Sequence, residues 1–135
     1  MKMKNILLID DSEMDNYISE FLVKESNLAE EINVFNSPIE ALEYLAVLQS
    51  RQEGFPDAIF LDINMPDMDG FGFLDEFSKF PEEIIKRTSV FMLTSSNDEN
   101  DIEKALKYSV VKKYFVKPLS KAILNEIILD NESSS

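Results

Sequence analysis

The chain has 135 residues, 44% hydrophobic and 29% charged, with only 3 Gly and 5 Pro, the mix of one compact domain and not of a linker or disordered tract. Lys plus Arg number 13 and Asp plus Glu 26, a net charge of −13 that repels phosphate backbones and anionic lipid surfaces and argues against nucleic-acid and membrane partners. Cysteine and histidine are both absent, which excludes disulfides, thiol nucleophiles, imidazole catalysis, histidine metal ligation and a histidine phosphoryl relay within the chain, and suits a cytoplasmic setting.

The basic start, Met1-Lys2-Met3-Lys4-Asn5, leads into an apolar run of four residues, 6–9, ended by two aspartates. That run is too short for a signal peptide or a membrane span; it reads as a buried strand. Met14, Ile18, Phe21 and Leu22 follow at helical spacing and predict a helix with an apolar stripe. Residues 32–35 form the second strand. Ser37-Pro38-Ile39-Glu40 then marks a helix start, with a capping Ser, a Pro at the first helical position and a Glu placed for a capping box, before Leu42, Leu45 and Leu48. Residues 58–61 are the third strand, and Phe73, Leu74 and Phe77 the third helix. Residues 90–93 are the fourth strand, followed by a helix carrying Ile102, Ala105 and Leu106 that Asn97 is placed to cap. Residues 114–116 are the fifth strand, and Ser120 caps a last helix with Ile123, Leu124, Ile127 and Ile128. Residues 1–129 are expected to form the domain and 130–135 a frayed polar tail.

Strand and helix alternate strictly, and the strands are apolar throughout, the pattern of a parallel sheet covered on both faces. Right-handed crossovers leave few topologies. The expected class is α/β, a flavodoxin-like doubly wound sheet of five strands in the order 2-1-3-4-5 with five helices, its site at the carboxyl edge where the winding reverses.

The residues that end the strands are Asp10-Asp11, Asp62, Thr94-Ser95-Ser96 and Lys117-Pro118. Singly, an Asp after a strand is usually a helix cap or turn former. Gathered within a few ångströms, however, three carboxylates repel by several kcal/mol per pair at an effective dielectric of about 20. Lys117 supplies one compensating charge, and a hard divalent cation with oxygen ligands, magnesium, is expected to supply the rest. Such a cluster suits phosphoryl transfer to a carboxylate, which asks the protein mainly for alignment and charge cancellation.

Four motifs together resemble the receiver domains of two-component response regulators: Leu8-Ile9-Asp10-Asp11-Ser12, Leu61-Asp62-Ile63-Asn64-Met65-Pro66-Asp67-Met68-Asp69-Gly70, Leu93-Thr94-Ser95 and Tyr114-Phe115-Val116-Lys117-Pro118. The resemblance covers roughly residues 4–129. It implies that Asp62 is the phospho-acceptor, forming 4-aspartylphosphate, and that Mg2+ (or Mn2+) is held by Asp10, Asp11, Asp62 and the Asn64 backbone carbonyl. It further implies that Lys117 pairs with the phosphoryl oxygens, that the Thr94 hydroxyl moves to bond one of them, and that Tyr114 is a switch aromatic turning inward with Thr94. Lys117-Pro118 is similar to the family's cis bond. Gly70 is expected either to occupy a turn conformation closed to other residues or to act as a spacer at a helix start. Two positions depart from the pattern, Val110 and Lys113, which stand where small residues are common, and they put in doubt the path between the fourth helix and fifth strand.

The implied function is a phosphorylation-controlled switch, not an enzyme with a separate substrate. Its expected partners are a sensor histidine kinase or a histidine phosphotransfer protein as donor, and a downstream effector on the surface of the fourth helix, fifth strand and fifth helix. Because the chain stops after that helix, a stand-alone, chemotaxis-type form is expected. Asn64 and Ser96 are candidate tuners of the acyl phosphate's lifetime. A flavodoxin-like electron carrier would need a phosphate loop where Asp10-Asp11 would repel a flavin phosphate. A phosphohydrolase would want an acid where Asn64 stands. A phosphate-indifferent binding module of the same fold is the alternative.

Overall fold

The computed structural model describes residues 3–133, with side chains to position 130. Along the chain run β1 (Met3–Ile9), α1 (Glu13–Ser26), β2 (Ala29–Phe35), α2 (Pro38–Arg51), β3 (Ala58–Leu61) and α3 (Gly70–Phe77). They are followed by α4 (Glu82–Ile85), β4 (Ser89–Thr94), α5 (Glu99–Leu106), β5 (Val111–Val116) and α6 (Lys121–Ser133). The strands form one parallel sheet in the order β2-β1-β3-β4-β5, as the sequence pattern requires.

The sheet is covered on both faces because its strands are apolar at successive positions, and each face takes alternate residues. Leu7, Ile9, Ile59, Leu61 and Met92 pack with Ala41 and Leu45 of α2, Phe73, Leu74 and Phe77 of α3 and Ala105 of α5. Ile6, Leu8, Phe60, Phe91 and Leu93 pack with Val23 of α1 and Leu124 and Ile127 of α6. The reversal of winding between β1 and β3 leaves an open crevice at their carboxyl ends.

Several boundaries differ from the sequence pattern for identifiable reasons. Four strands begin before their apolar runs, because polar residues such as Lys4, Glu30, Glu31 and Lys112 extend into solvent from paired backbone. There are six helices among the described residues instead of five. The extra one, α4, is a single turn that Pro81 opens and that buries no residue fully, too brief to leave a periodic signal. The expected fourth and fifth helices are therefore α5 and α6. Ser37 and Ser120 cap as expected, accepting the N–H of Glu40 and Ile123, but α5 is capped by Asp98, one residue after Asn97. Helix α6 continues through the stretch expected to fray, as far as Ser133; residues 134 and 135 of the expected tail lie outside the described residues.

The largest difference is in α1. Of its expected apolar stripe only Leu22 packs, half-buried, against the core: Met14 is 73% exposed, Phe21 55% and Ile18 42%, and neighbouring Tyr17 is 73% exposed as well. The face that packs against the domain is instead Asn16, Ser19 and Val23. At the departure positions, Val110 is buried and its carbonyl accepts the Val90 N–H. A register shift between Val90 and Phe91 leaves Lys112 as the extra residue of β5. Lys113 reaches Glu126 and Asp130 of α6.

Candidate functional site

Asp10, Asp62 and Lys117, the residues that directly follow β1, β3 and β5, are each fixed by one backbone hydrogen bond beyond the strand. The Asp10 N–H donates to the Phe35 carbonyl (3.1 Å), the Asp62 N–H to the Ile9 carbonyl (3.1 Å) and the Lys117 N–H to the Thr94 carbonyl (2.8 Å). Three strand ends, those of β1, β3 and β5, thus hand their next peptide N–H to a neighbouring strand and aim the side chains from rigid backbone into one crevice. Asp10 and Asp62 are buried, Asp11 is exposed at the rim, and oxygens of all three lie within 4.8 Å of one another. The Lys117–Pro118 bond is cis.

Lys117 is the positive centre. Its Nζ lies 2.7 Å from Asp10 Oδ2 and 3.3 Å from Asp62 Oδ2. The second oxygens are also occupied: Asp10 Oδ1 accepts the Ser12 N–H at 2.9 Å, and Asp62 Oδ1 accepts the Ile63 N–H at 2.8 Å. A third carboxylate, Asp15, sits 2.7 Å from the same ammonium. Four carboxylates against one ammonium leave three negative charges uncompensated. At 4.8 Å and an effective dielectric near 20, each carboxylate pair repels by about 3.5 kcal/mol, less where exposed Asp11 takes part. Burial raises the Asp10 carboxyl above its usual range, and the Asp62 charge adds to this, although Lys117 and the Ser12 N–H pull the other way. Burial would lower the Lys117 ammonium, but hydrogen bonds to Asp10 and Asp15 and the nearby charges of Asp62 and Asp10 outweigh it and hold the pKa up. The lysine therefore stays charged.

An all-oxygen donor set with excess negative charge fits a hard divalent cation such as Mg2+. Asn64 is exposed two residues beyond Asp62 in the same loop.

Thr94 ends β4 and is fully buried; its hydroxyl faces the Ser96 N–H at 3.4 Å. The half-buried Tyr114 hydroxyl donates to the Ser96 carbonyl at 2.9 Å, and burial raises its pKa, only partly opposed by that bond. The Ser96 hydroxyl donates to Asp101 of α5 at 2.7 Å. Thr94, Tyr114 and the start of α5 thus share one loop.

The loop that carries Asp62 is closed by Gly70, whose N–H donates to the Ile63 carbonyl at 2.8 Å. Of the two expectations for Gly70, the unusual turn conformation is not found: its φ is ordinary, and the left-handed residue of this loop is Asp67, at φ 68°. Gly70 opens α3, capped by Asp69, and its need is for space. A Cβ there would lie 2.5 Å from the Asp62 carbonyl oxygen and 2.9 Å from Ile63 Cα.

Two residues escaped the sequence reading. Asp15 reads as an ordinary acid in the first turn of a helix. Asn16 reads as a solvated position, yet it is buried and donates from Nδ2 to the Asp10 carbonyl (2.7 Å) and to Asn36 Oδ1 (2.9 Å), bracing the loop that carries Asp10 and Asp11. The visible signal for Asn16 was a polar residue near the start of a helix whose apolar Met14, Ile18 and Phe21 are spaced along another face.

Comparison with known proteins places these features in context. A sequence profile described as response regulator receiver domain matches residues 6–129. The response regulator Rcp1 of Synechocystis sp. is 33% identical over 101 residues, which take in 73% of this chain and 67% of Rcp1. The two-component response regulator ORR1 of Oryza sativa subsp. japonica is 27% identical over 116 residues, 84% of this chain but only 49% of ORR1, so the chain spans half to two thirds of these relatives. A crystal structure of a two-component response regulator from Cytophaga hutchinsonii superposes with a TM-score of 0.88 at 30% identity, covering 96% of this chain and 97% of that one.

Proposed function

The chain belongs to the response regulator receiver domain family, and from that premise we propose that it is a phosphorylation-controlled switch whose phospho-acceptor is Asp62. The observation that carries the reading is the convergence of Asp10, Asp11 and Asp62 on one crevice with Lys117 seated among them. In the proposed step an Asp62 oxygen forms a bond to the phosphorus of a phosphohistidine donor, and the phosphorus–nitrogen bond breaks with its electron pair leaving on the imidazole. The donor belongs to a sensor histidine kinase or a histidine phosphotransfer protein, since this chain has no histidine.

Asp10, Asp11 and Asp62, with the Asn64 carbonyl, would hold Mg2+ or Mn2+; when bound, the cation supplies the positive charge that the phosphoryl oxygens and crowded carboxylates require. Lys117 pairs with a phosphoryl oxygen, because its contact to Asp62 is already the longest of its three. Thr94 donates its hydroxyl to another. That movement pulls the loop through Ser96, which Tyr114 and Asp101 both grip, and so favours a different setting of α5 and the β5 aromatic. Leu106 and Val116 are exposed on α5 and β5 and belong to the surface offered to an effector. The exposed Met14, Tyr17, Ile18 and Phe21 stand on α1 directly after Asp11, the right place for the donor to cover. In this reading the chain turns over no separate substrate; among the described residues no helix is long and apolar enough to cross a membrane.

Incubation with acetyl phosphate and Mg2+ tests this. The wild type gains a single phosphoryl mass and Asp62→Asn gains none. A wild type left unmodified by small-molecule and protein donors alike would overturn the reading.

A further inference from the structure

Lys117 has three N–H donors and three carboxylate partners, and the third partner, Asp15, belongs to none of the strand ends that build the crevice. Its backbone is pinned in the first turn of α1, where its N–H donates to the Ser12 hydroxyl at 3.2 Å. Its carboxylate is 41% exposed and meets Lys117 Nζ at 2.7 Å, as close as the buried Asp10 does. An acid in a first helical turn needs no partner to be favourable there, because the helix dipole and free N–H groups already suit it. A carboxylate that instead spans 102 positions of sequence to reach the site lysine has a second role.

That role follows from competition for oxygens. Lys117 Nζ occupies Asp10 Oδ2 and approaches Asp62 Oδ2, oxygens of two of the three acids gathered as a cation site. A divalent cation and the ammonium on the same oxygen repel each other as like charges at close range, so Lys117 has to loosen its hold on Asp10 as the site fills. We propose that Asp15 is a positioning residue that keeps Lys117 beside Asp62 while releasing Asp10 to a divalent cation. The inference rests on the receiver reading of the site. Because Asp15 lies at the partly exposed end of the lysine's partners and Asp10 at the buried end, retreat toward Asp15 moves the ammonium off the cation oxygens without expelling it from the crevice. Without Asp15 the ammonium has only Asp10 and Asp62 to hold, and it competes with the cation at full strength.

The test is a double-mutant cycle read by Mg2+ calorimetry on the unphosphorylated protein, with wild type, Asp15→Asn, Lys117→Met and the double variant. Asp15→Asn is expected to weaken Mg2+ binding about threefold or more, within the range that couples contacting charged groups. In the Lys117→Met background the same change is expected to have no resolvable effect. The Lys117 side-chain resonance, identified by its loss in Lys117→Met, is expected to shift in Asp15→Asn before any metal is added, which a purely structural acid would not cause. Equal weakening in both backgrounds would assign Asp15 a through-space charge effect only, and no weakening in either would make it a helix-terminal acid; both results overturn the proposal. A wild type that binds no Mg2+ would instead refute the cation site itself, so the two failures are distinguishable.

Discussion

Substituting Gly70 by Ala probes the packing that fixes Asp62. The added methyl carbon would lie 2.5 Å from the Asp62 carbonyl oxygen, 2.9 Å from Ile63 Cα and 3.2 Å from the Asp62 carbonyl carbon. All three are backbone atoms, so no side-chain rotation relieves the contact. Gly70 opens α3, the helix that buries Phe71, Phe73, Leu74 and Phe77, and cannot retreat without disturbing that layer. Overpacking in a dense core costs about 1–3 kcal/mol, and a clash confined to backbone belongs at the upper end, about 3 kcal/mol. For a domain of this size that corresponds to roughly 9–15 °C in melting temperature. If the chain relieves the clash by moving the loop, Asp62 moves with it, and Mg2+ affinity falls instead. Thermal unfolding followed by circular dichroism, paired with Mg2+ calorimetry on the same samples, separates the two routes. A Gly70→Ala protein with wild-type melting temperature and wild-type Mg2+ affinity would refute the reasoning.

Lys117→Ala leaves buried Asp10 and Asp62 without their counter-charge, and the expected loss in metal-free urea unfolding is about 3 kcal/mol; Mg2+ should restore more stability to this variant than it adds to wild type. Because burial raises the Asp10 pKa, the native state takes up this proton more readily than the unfolded chain, so the group's stabilisation is full below the unfolded value of 3.8 and is lost as pH rises through the raised native value. Asp10→Asn should therefore be more stable than wild type at pH 7 in chelator, with a flatter pH profile on the acid side, while binding Mg2+ more weakly; a less stable variant would contradict this. Phe21→Ser, at an exposed position, should shift stability by no more than about 0.5 kcal/mol yet slow phosphotransfer from a phosphohistidine protein about tenfold or more relative to acetyl phosphate. Equal rates of loss with both donors would count against α1 as the donor surface.

The sheet was legible because its strands carry short apolar runs, such as Ile6 to Ile9, that alternate with segments of helical spacing, the pattern of a parallel sheet covered on both faces. Asp10, Asp62 and Lys117 were legible because topology alone places strand ends together. What periodicity could not say was which surface covers a stripe. Met14, Ile18 and Phe21 carry the spacing of a core helix, but α1 meets the sheet through Asn16, Ser19 and Val23, since the crevice beside it needs polar bracing. Asp15 was hidden for a related reason: its contact with Lys117 is made between distant parts of the chain, and the local pattern around it is satisfied by a helix start. Gly70 was singled out with two motives, and the helix start is the one found; what the sequence did not show is the close approach of the Asp62 carbonyl that leaves no room for a Cβ there. Helix α4 is a single turn and leaves no repeat to detect.

The claim beneath all of this is that acids from separate loops form one cation site around Lys117, and substoichiometric Mn2+ added to 15N-labelled protein tests it most directly. The account predicts that amide signals of Asp11, Ser12, Asp62 and Ile63 broaden first and that Mg2+ reverses the effect. Broadening spread evenly over a chain of net charge −13, or centred on the acids Asp98, Glu99 and Asp101 at the start of α5, would contradict it.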